Sequence, residues 1–274
     1  MTQDYETCEK EMQENLWARY DCDEKGCEKE KLDVHLKTVA YYAEKISDYL
    51  KNKVPNLKNK LPNLELEGYL AGLFHDVFKA IFAPENITEF CKNKERRLSF
   101  RYHEIGSAIL FANLYIKGDL EYDGLEPDSI RRIAKAILFH HQGLRSVETS
   151  VYQDGYYHIV DRIVYNKEQA MNKLFKILYI LQNELKNKNI NLNLDNINES
   201  NIIDEYLRIE TLSFILTKAE LYDRFVSGIL MVADNCAVIS NLQKGMTSRL
   251  LEAEINDYVK TISDGKLSCI KTST

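Results

Sequence analysis

The stretch Gly72-Leu73-Phe74-His75-Asp76-Val77-Phe78-Lys79 sets a histidine and an aspartate side by side in an apolar run. An unpartnered charge buried there is costly, and a divalent cation compensates both residues at once, because it accepts a neutral imidazole and a carboxylate together. Four more of the six histidines occupy comparable positions. His35 falls on an apolar helical stripe, His103 opens a helix, and His140-His141 close another. Asp234 is a lone acid inside the apolar run Gly228–Ile239. Together these residues offer five imidazoles and two carboxylates, with no cysteine among them. That exceeds one tetrahedral site and suits two divalent ions sharing a bridging carboxylate, with positions left open for water and substrate. Imidazole-rich ligation favours Mn, Fe, Co, Ni or Zn, with Mg also admissible. On a continuous helix Lys79 shares a face with His75 and Asp76.

The elements that must carry these residues read as helices. Leu32, Leu36, Val39, Ala43, Ile46 and Leu50 recur at spacings of three and four, which predicts an amphipathic helix over about 31–51. A polar connection with two prolines follows. A helix is then expected from about Leu64 to Ile81, stopped by Pro84. Further helices are predicted from His103, from Asp128 or Ser129 to the paired histidines with a break at Gly143, over about 161–185, over about 207–240, and over about 247–262. Gln153-Asp154-Gly155 reads as a turn, and the asparagine-biased stretch near 186–202 as a surface insertion. No alternating run is long enough to propose a sheet, so the expected class is all-α: an acidic, partly helical extension over 1–30, docked through Trp17, and one domain over 31–274.

The formal net charge of −6 is concentrated at the N-terminus, where residues 1–30 hold ten acids and four bases and leave the body balanced. A broadly basic nucleic-acid coat is thereby excluded, and any affinity for phosphate must come from a local site. No run approaches membrane-spanning length. Nor do six scattered cysteines form a secreted framework, and they read as free thiols in a cytoplasmic protein.

The ordered set His35, His75-Asp76, His103, His140-His141, Asp234 resembles the HD metal-dependent phosphohydrolase superfamily. Its nearer resemblance is to the stand-alone HD nuclease of type I CRISPR-associated systems, through His75-Asp76-Val77-Phe78-Lys79, His103-Glu104-Ile105-Gly106-Ser107-Ala108, His140-His141 followed by Gly143-Leu144, and Ala233-Asp234-Asn235-Cys236-Ala237. The resemblance implies an HD helical bundle with a dinuclear metal site in its core. One ion would lie on His35, His75, Asp76 and Asp234, and the other on His103, His140 and His141, with Asp76 bridging. It implies that Lys79 orients a phosphoryl oxygen. Phe78 replaces a glycine common in that motif, which is expected to add bulk near the metals.

The implied activity is hydrolysis of phosphodiester bonds in single-stranded DNA, and in RNA, during CRISPR antiviral interference. A separate helicase subunit and a surveillance complex are the implied partners, and no membrane is involved. Arg96, Arg97, Arg101 and Arg145 are candidates for guiding a strand, as are Arg131, Arg132 and Lys135 ahead of His140. His158, beside Tyr156 and Tyr157, reads as a loop histidine. The alternatives are an HD phosphohydrolase acting on mononucleotides and a non-catalytic scaffolding subunit.

Overall fold

The computed structural model describes residues 2–24, 26–82, 84, 86–141, 149–198, 200–217, 220–241 and 249–269. The chain opens with α1 (Thr2–Glu14) and an antiparallel hairpin, β1 (Trp17–Asp23) and β2 (Gly26–Lys31). Next come α2 (Leu32–Lys53), α3 (Leu57–Lys60), α4 (Leu64–Phe74) and a 3₁₀ turn at Val77–Ile81. Then follow α5 (Ile87–Lys92), β3 (Arg96–Arg97), α6 (His103–Ile116), β4 (Leu120–Glu121) and α7 (Pro127–Phe139). The remainder is α8 (Thr149–Tyr165), α9 (Lys167–Lys186), β5 (Asn191–Leu192), a π turn at Ile202–Tyr206, α10 (Thr211–Ile215), α11 (Leu221–Asn241) and α12 (Arg249–Ile262). With 67% of the structure helical, the all-α expectation holds.

The core is a bundle in which α2 lies along α4 and α11, and α7 lies along α4, α6 and α11. The predicted stripe of α2 is the face that packs: Leu32, Leu36, Val39, Ala43 and Ile46 are buried, each large side chain contributing about 1.5–3 kcal/mol. Small residues set how closely α2 and α4 approach. A Cβ on Gly72 would stand 2.7 Å from the Ala40 backbone, so only glycine lets the end of α4 sit this near α2.

Four sequence expectations need correction. First, α4 stops at Phe74 instead of running to Ile81, for a reason that belongs to the site. Second, the acidic N-terminus folds as a helix and hairpin, and β1 also pairs with β3 to make a three-stranded sheet, while β4 pairs with β5. Its strands were hidden by charge: β2 reads Gly-Cys-Glu-Lys-Glu-Lys, with only Glu30 facing inward. Third, the asparagine-biased stretch is anchored in the core, since Ile190, Leu192, Leu194 and Ile197 are buried. Fourth, Gly155 lies within α8, where a Cβ would meet Ile105 Cδ1 at 2.3 Å; it marks a close helix approach and no turn. His158 is accordingly an exposed helical residue. The break proposed at Gly143 lies outside the described residues.

The cysteines also depart from expectation. All six are paired, as Cys8–Cys91, Cys22–Cys27 and Cys236–Cys269. Two of the pairings span 83 and 33 residues, which spacing in the sequence does not reveal. Trp17 docks the N-terminal unit as anticipated, in a small second core with Cys8, Met12, Tyr20, Cys22 and Cys91. Among the described residues no helix is long and apolar enough to cross a membrane.

Candidate metal centre

Adjacent residues on an α-helix do not share a face, so His75 and Asp76 can serve one site only if the helix ends between them. It does. His75 makes the last helical bond, to the Ala71 carbonyl, and Asp76 leaves with φ −115° and ψ 10°. The chain then tightens into the 3₁₀ turn, where side chains three apart eclipse. Lys79 therefore stands directly over Asp76, with Nζ 2.6 Å from Oδ2.

The two Asp76 oxygens face opposite halves of a histidine cluster. Oδ2 lies 3.2 Å from both His35 Nε2 and His75 Nε2. Oδ1 lies 2.7 Å from His103 Nε2 and 3.4 Å from His140 Nε2. Asp234, from α11, brings Oδ1 to 3.2 Å from His35 Nε2 and 3.8 Å from His75 Nε2. His141 stands at the exposed rim, its ring 3.9 Å from that of His140. Helices α2, α6 and α11, with the ends of α4 and α7, thus deliver every predicted metal ligand to one place. The donor atoms fall into three overlapping groups, Asp76 with His103, His140 and His141, Asp76 with His35 and His75, and Asp234 with His75 and His140, each spanning no more than 4.8 Å.

The protonation pattern shows what such a place demands. His75 donates Nδ1–H to the Gly72 carbonyl (2.8 Å), His103 to Phe100 (2.5 Å) and His140 to Ile137 (2.6 Å). His35 Nδ1 lies 2.9 Å from the Glu30 carboxylate. In the neutral form that ligates a metal, an imidazole with its proton on Nδ1 turns a bare Nε2 lone pair inward, toward the other donors and two carboxylates. His103 Nε2, His140 Nε2 and Asp76 Oδ1 approach one another without hydrogen-bond alignment and have no other partner, although all are buried. Such groups are unfavourable unless a cation lies among them. Most of the separations suit one, because two ligands at about 2.1 Å from the same ion stand about 3.0–3.4 Å apart, the range of four of these contacts, with His103–Asp76 tighter at 2.7 Å and His75–Asp234 wider at 3.8 Å. The donor set therefore fits divalent metal ions.

The ionisation of the cluster gives the same answer. Burial alone would suppress the His35 imidazolium, but Asp234, Asp76 and Glu30 outweigh it and push its pKa well above the ordinary value; His75 is raised in the same way by Asp76 and Asp234. Burial would also raise Asp76, yet His75, Lys79 and His103 hold it well below the carboxylate range, and His35 and His75 do so for Asp234. His140 is lowered by burial, and His141 falls to about 3 through burial and the neighbouring His140. Without a metal ion, protons supply the cation beside His35.

Around this centre the other candidates divide. Phe78 does not narrow the site: its ring is fully buried against Gly106, where a Cβ would stand 2.4 Å from Phe78 Cδ1. The expected bulk is absorbed by α6, and Ser107 Oγ accepts the Phe78 amide. Arg96 donates to the Cys91 carbonyl, and Arg97 lies 3.6 Å from Asp21, so both serve the N-terminal sheet. Arg131 pairs with Asp128, Arg132 with buried Glu67, and Lys135 with Asp223. The pairs with Glu67 and Asp223 knit the bundle, the pair with Asp128 is an exposed contact within α7, and the cavity the three cations border is lined by no metal ligand. Arg101 is exposed beside Tyr102, at the rim. Arg145 lies outside the described residues.

Two features escaped the sequence reading. Glu30, behind His35, falls in what reads as an acidic, partly helical extension, and the alternating charges of Glu28-Lys29-Glu30-Lys31 carry no sign that this one faces inward. Tyr102, just before His103, takes the left-handed φ of 65°, a costly conformation for a bulky residue. Its ring lies 5.6 Å from that of His158, and past it the surface opens into a cavity of about 250 Å³ lined by Ile81, His158, Arg162, Tyr165 and Gln169.

A comparison with protein families matches the HD domain over residues 32–181. No curated protein and no solved structure matches the chain.

Proposed function

Since the chain belongs to the HD domain family, whose members are generally metal-dependent hydrolases, we propose that it is a metal-dependent nuclease. It would hydrolyse phosphodiester bonds in single-stranded DNA, and in RNA, in CRISPR antiviral interference. The observation that carries the reading is Asp76, with one oxygen toward His35 and His75 and the other toward His103 and His140. His35, His75, Asp76 and Asp234 would hold one divalent ion, and Asp76, His103, His140 and His141 a second.

Such ions, when bound, supply Lewis-acid polarisation of a phosphoryl oxygen and acidify water near neutral pH. The charge balance suits a phosphodiester, since two dications and two carboxylates leave about +2 at a buried site. The chain's own residues do the rest. Backbone carbonyls fix the tautomers of His75, His103 and His140. Exposed His141 marks the side from which substrate enters. Lys79, resting over the Phe100 ring at 5.3 Å, is the one predicted cation beside the bridging carboxylate and would meet a phosphoryl oxygen. Arg101 would contact the strand at the rim. A helicase subunit and a surveillance complex would present that strand in the cytoplasm. The six cysteines would there face a reducing pool as three juxtaposed pairs, and alkylation of thiols in intact cells reports their state.

A second reading, hydrolysis of mononucleotides, rests on the same ligand set; the cavity beside His158 has the volume for a single base, but none of the metal ligands lines it. One experiment separates the two. Purified protein with Mn²⁺ or Ni²⁺ is given end-labelled single strands and, separately, free nucleotides. Cleaved strands with intact nucleotides support the nuclease, and the converse refutes it. Lys79→Ala is expected to slow strand cleavage while metal content stays near that of the native protein; equal loss of metal would assign Lys79 to structure.

A further inference from the structure

The four inward-facing imidazoles are not held alike. His75, His103 and His140 donate to neutral backbone carbonyls, whereas His35 rests against a carboxylate. That carboxylate is Glu30, 4% exposed, and its Oε1 also accepts from Asn241 Nδ2 at 2.8 Å. Asn241 ends α11, the helix that carries Asp234. Glu30 itself lies before the residues the family comparison matches, in the last strand of the N-terminal unit. Several ties hold that unit in place: the Cys8–Cys91 disulfide, the pairing of β1 with β3, the Leu32 amide on the Leu16 carbonyl, and Lys173 on the Met12 carbonyl.

We infer that Glu30 is a positioning residue of the metal centre, and that it makes the ion on His35, His75, Asp76 and Asp234 the tighter-bound of the two. This rests on the two-ion reading above. A carboxylate behind a ligating imidazole fixes the ring, sets the tautomer and makes the ligating nitrogen a stronger donor than a carbonyl partner does. The hairpin is therefore part of the centre: its Glu30 is inserted between α2 and the end of α11, at the one of the four inward-facing imidazoles that rests on a carboxylate in place of a carbonyl.

The test uses the full chain, stripped with chelator and titrated with Mn²⁺, free ion being read by electron paramagnetic resonance. Both hydrogen bonds use Oε1, so Glu30→Gln can keep them and remove the charge alone. The native protein is expected to show a tight and a weaker class of site. Glu30→Gln should weaken the tight class about 10-fold, and Glu30→Ala by up to about 100-fold, with the weaker class changed less than about twofold. Asn241→Ala, which withdraws the second anchor without touching a ligand, should move the tight class in the same direction by less. Unchanged binding in Glu30→Gln overturns the inference while leaving the metal centre standing. Equal weakening of both classes also overturns it, by assigning Glu30 to structure. A native protein that binds no Mn²⁺ overturns the two-ion reading and this inference together.

Discussion

The sharpest prediction concerns Asp76→Asn, which keeps the side chain's shape and removes the charge both halves of the cluster share. Metal bound only to the folded state stabilises by about 2.7 kcal/mol per ion at a free concentration of 100 Kd, so two ions contribute about 5 kcal/mol. For a domain of this size about 2–4 °C accompanies each kcal/mol, which predicts a rise in Tm of about 10–20 °C on adding Mn²⁺ to the stripped native protein. Because Asp76 faces both halves, its loss should weaken both ions. A 100-fold loss at the same metal concentration leaves about 0.4 kcal/mol per ion and a shift of only a few degrees. His141→Ala touches one ligand group only and should retain half of the native shift or more, the larger share belonging to whichever ion binds tighter. The measurement is differential scanning fluorimetry with Mn²⁺ and with chelator; the difference between the two isolates metal from the separate effect of leaving Lys79 without its partner at 2.6 Å. The pH dependence has a definite sign. His35 and His75 have raised folded-state pKa values, so the stability they lend the metal-free protein is complete below the ordinary imidazole pKa and is lost as pH rises through the raised values. Metal displaces those protons, so the Mn²⁺-induced shift should grow over the same rise in pH. A full shift retained by Asp76→Asn would refute the shared-carboxylate reasoning.

Three further outcomes are expected. Lys173 is lowered to about 8 by burial and then by Lys176; the unfolded chain binds its proton more tightly, so stability should climb between about pH 8 and 10.5, and Lys173→Met should flatten that climb in thermal melts. Opening Cys8–Cys91, which closes an 83-residue separation, should cost about 4–5 kcal/mol in denaturant titrations, read as the loss of midpoint in Cys8→Ser/Cys91→Ser without reductant; reductant should then lower that variant's midpoint less than the native protein's, since only the two shorter closures remain to open. Gly106→Ala should cost about 1–3 kcal/mol by driving a methyl into Phe78, and Phe78→Leu in the same chain should recover part of it; strict additivity would contradict that contact.

What the sequence made legible follows from which residues it penalises. A histidine or aspartate in an apolar run declares itself, because burial without compensation is expensive, and all seven such residues converge. The stripe of α2 was equally plain, since its apolar positions recur at helical spacing over several turns. Breaks in a pattern were harder to see. Beyond Glu67, only His75, Asp76 and Lys79 interrupt the apolar run to Ile81, and no glycine or proline follows Phe74 there, so nothing local reports that α4 ends at Phe74; the ending is imposed where both His75 and Asp76 must face inward. The strands near 17–31 are charged on their exposed faces and short, and their pairing with Arg96–Arg97 is a long-range contact. The cysteine pairings were hidden for the same reason. Arg131, Arg132 and Lys135 show the opposite error: basic residues ahead of the paired histidines invite a substrate role, yet Arg132 and Lys135 pair with Glu67 and Asp223 from distant positions, and Arg131 pairs with Asp128 one turn away on the surface.

Phe78 shows how a departure from a motif can be neutral at the site it adjoins. A phenylalanine three residues after His75 would crowd the metals if the turn pointed it inward. The 3₁₀ geometry instead stacks Lys79 over Asp76 and sends residue 78 toward α6, where Gly106 leaves a gap the size of a ring edge. Exposed His141, Phe100 beneath Lys79, and Tyr102 one residue before His103 all lie outside the motif that carries the substitution. Substrate selection should accordingly respond to changes at Tyr102, whose backbone is held in a strained conformation beside His103, and not to changes at Phe78 that preserve the packing with Gly106. If Phe78→Leu alters the ratio of strand to mononucleotide turnover while Tyr102→Ala leaves it unchanged, the rim has been placed on the wrong side of the turn.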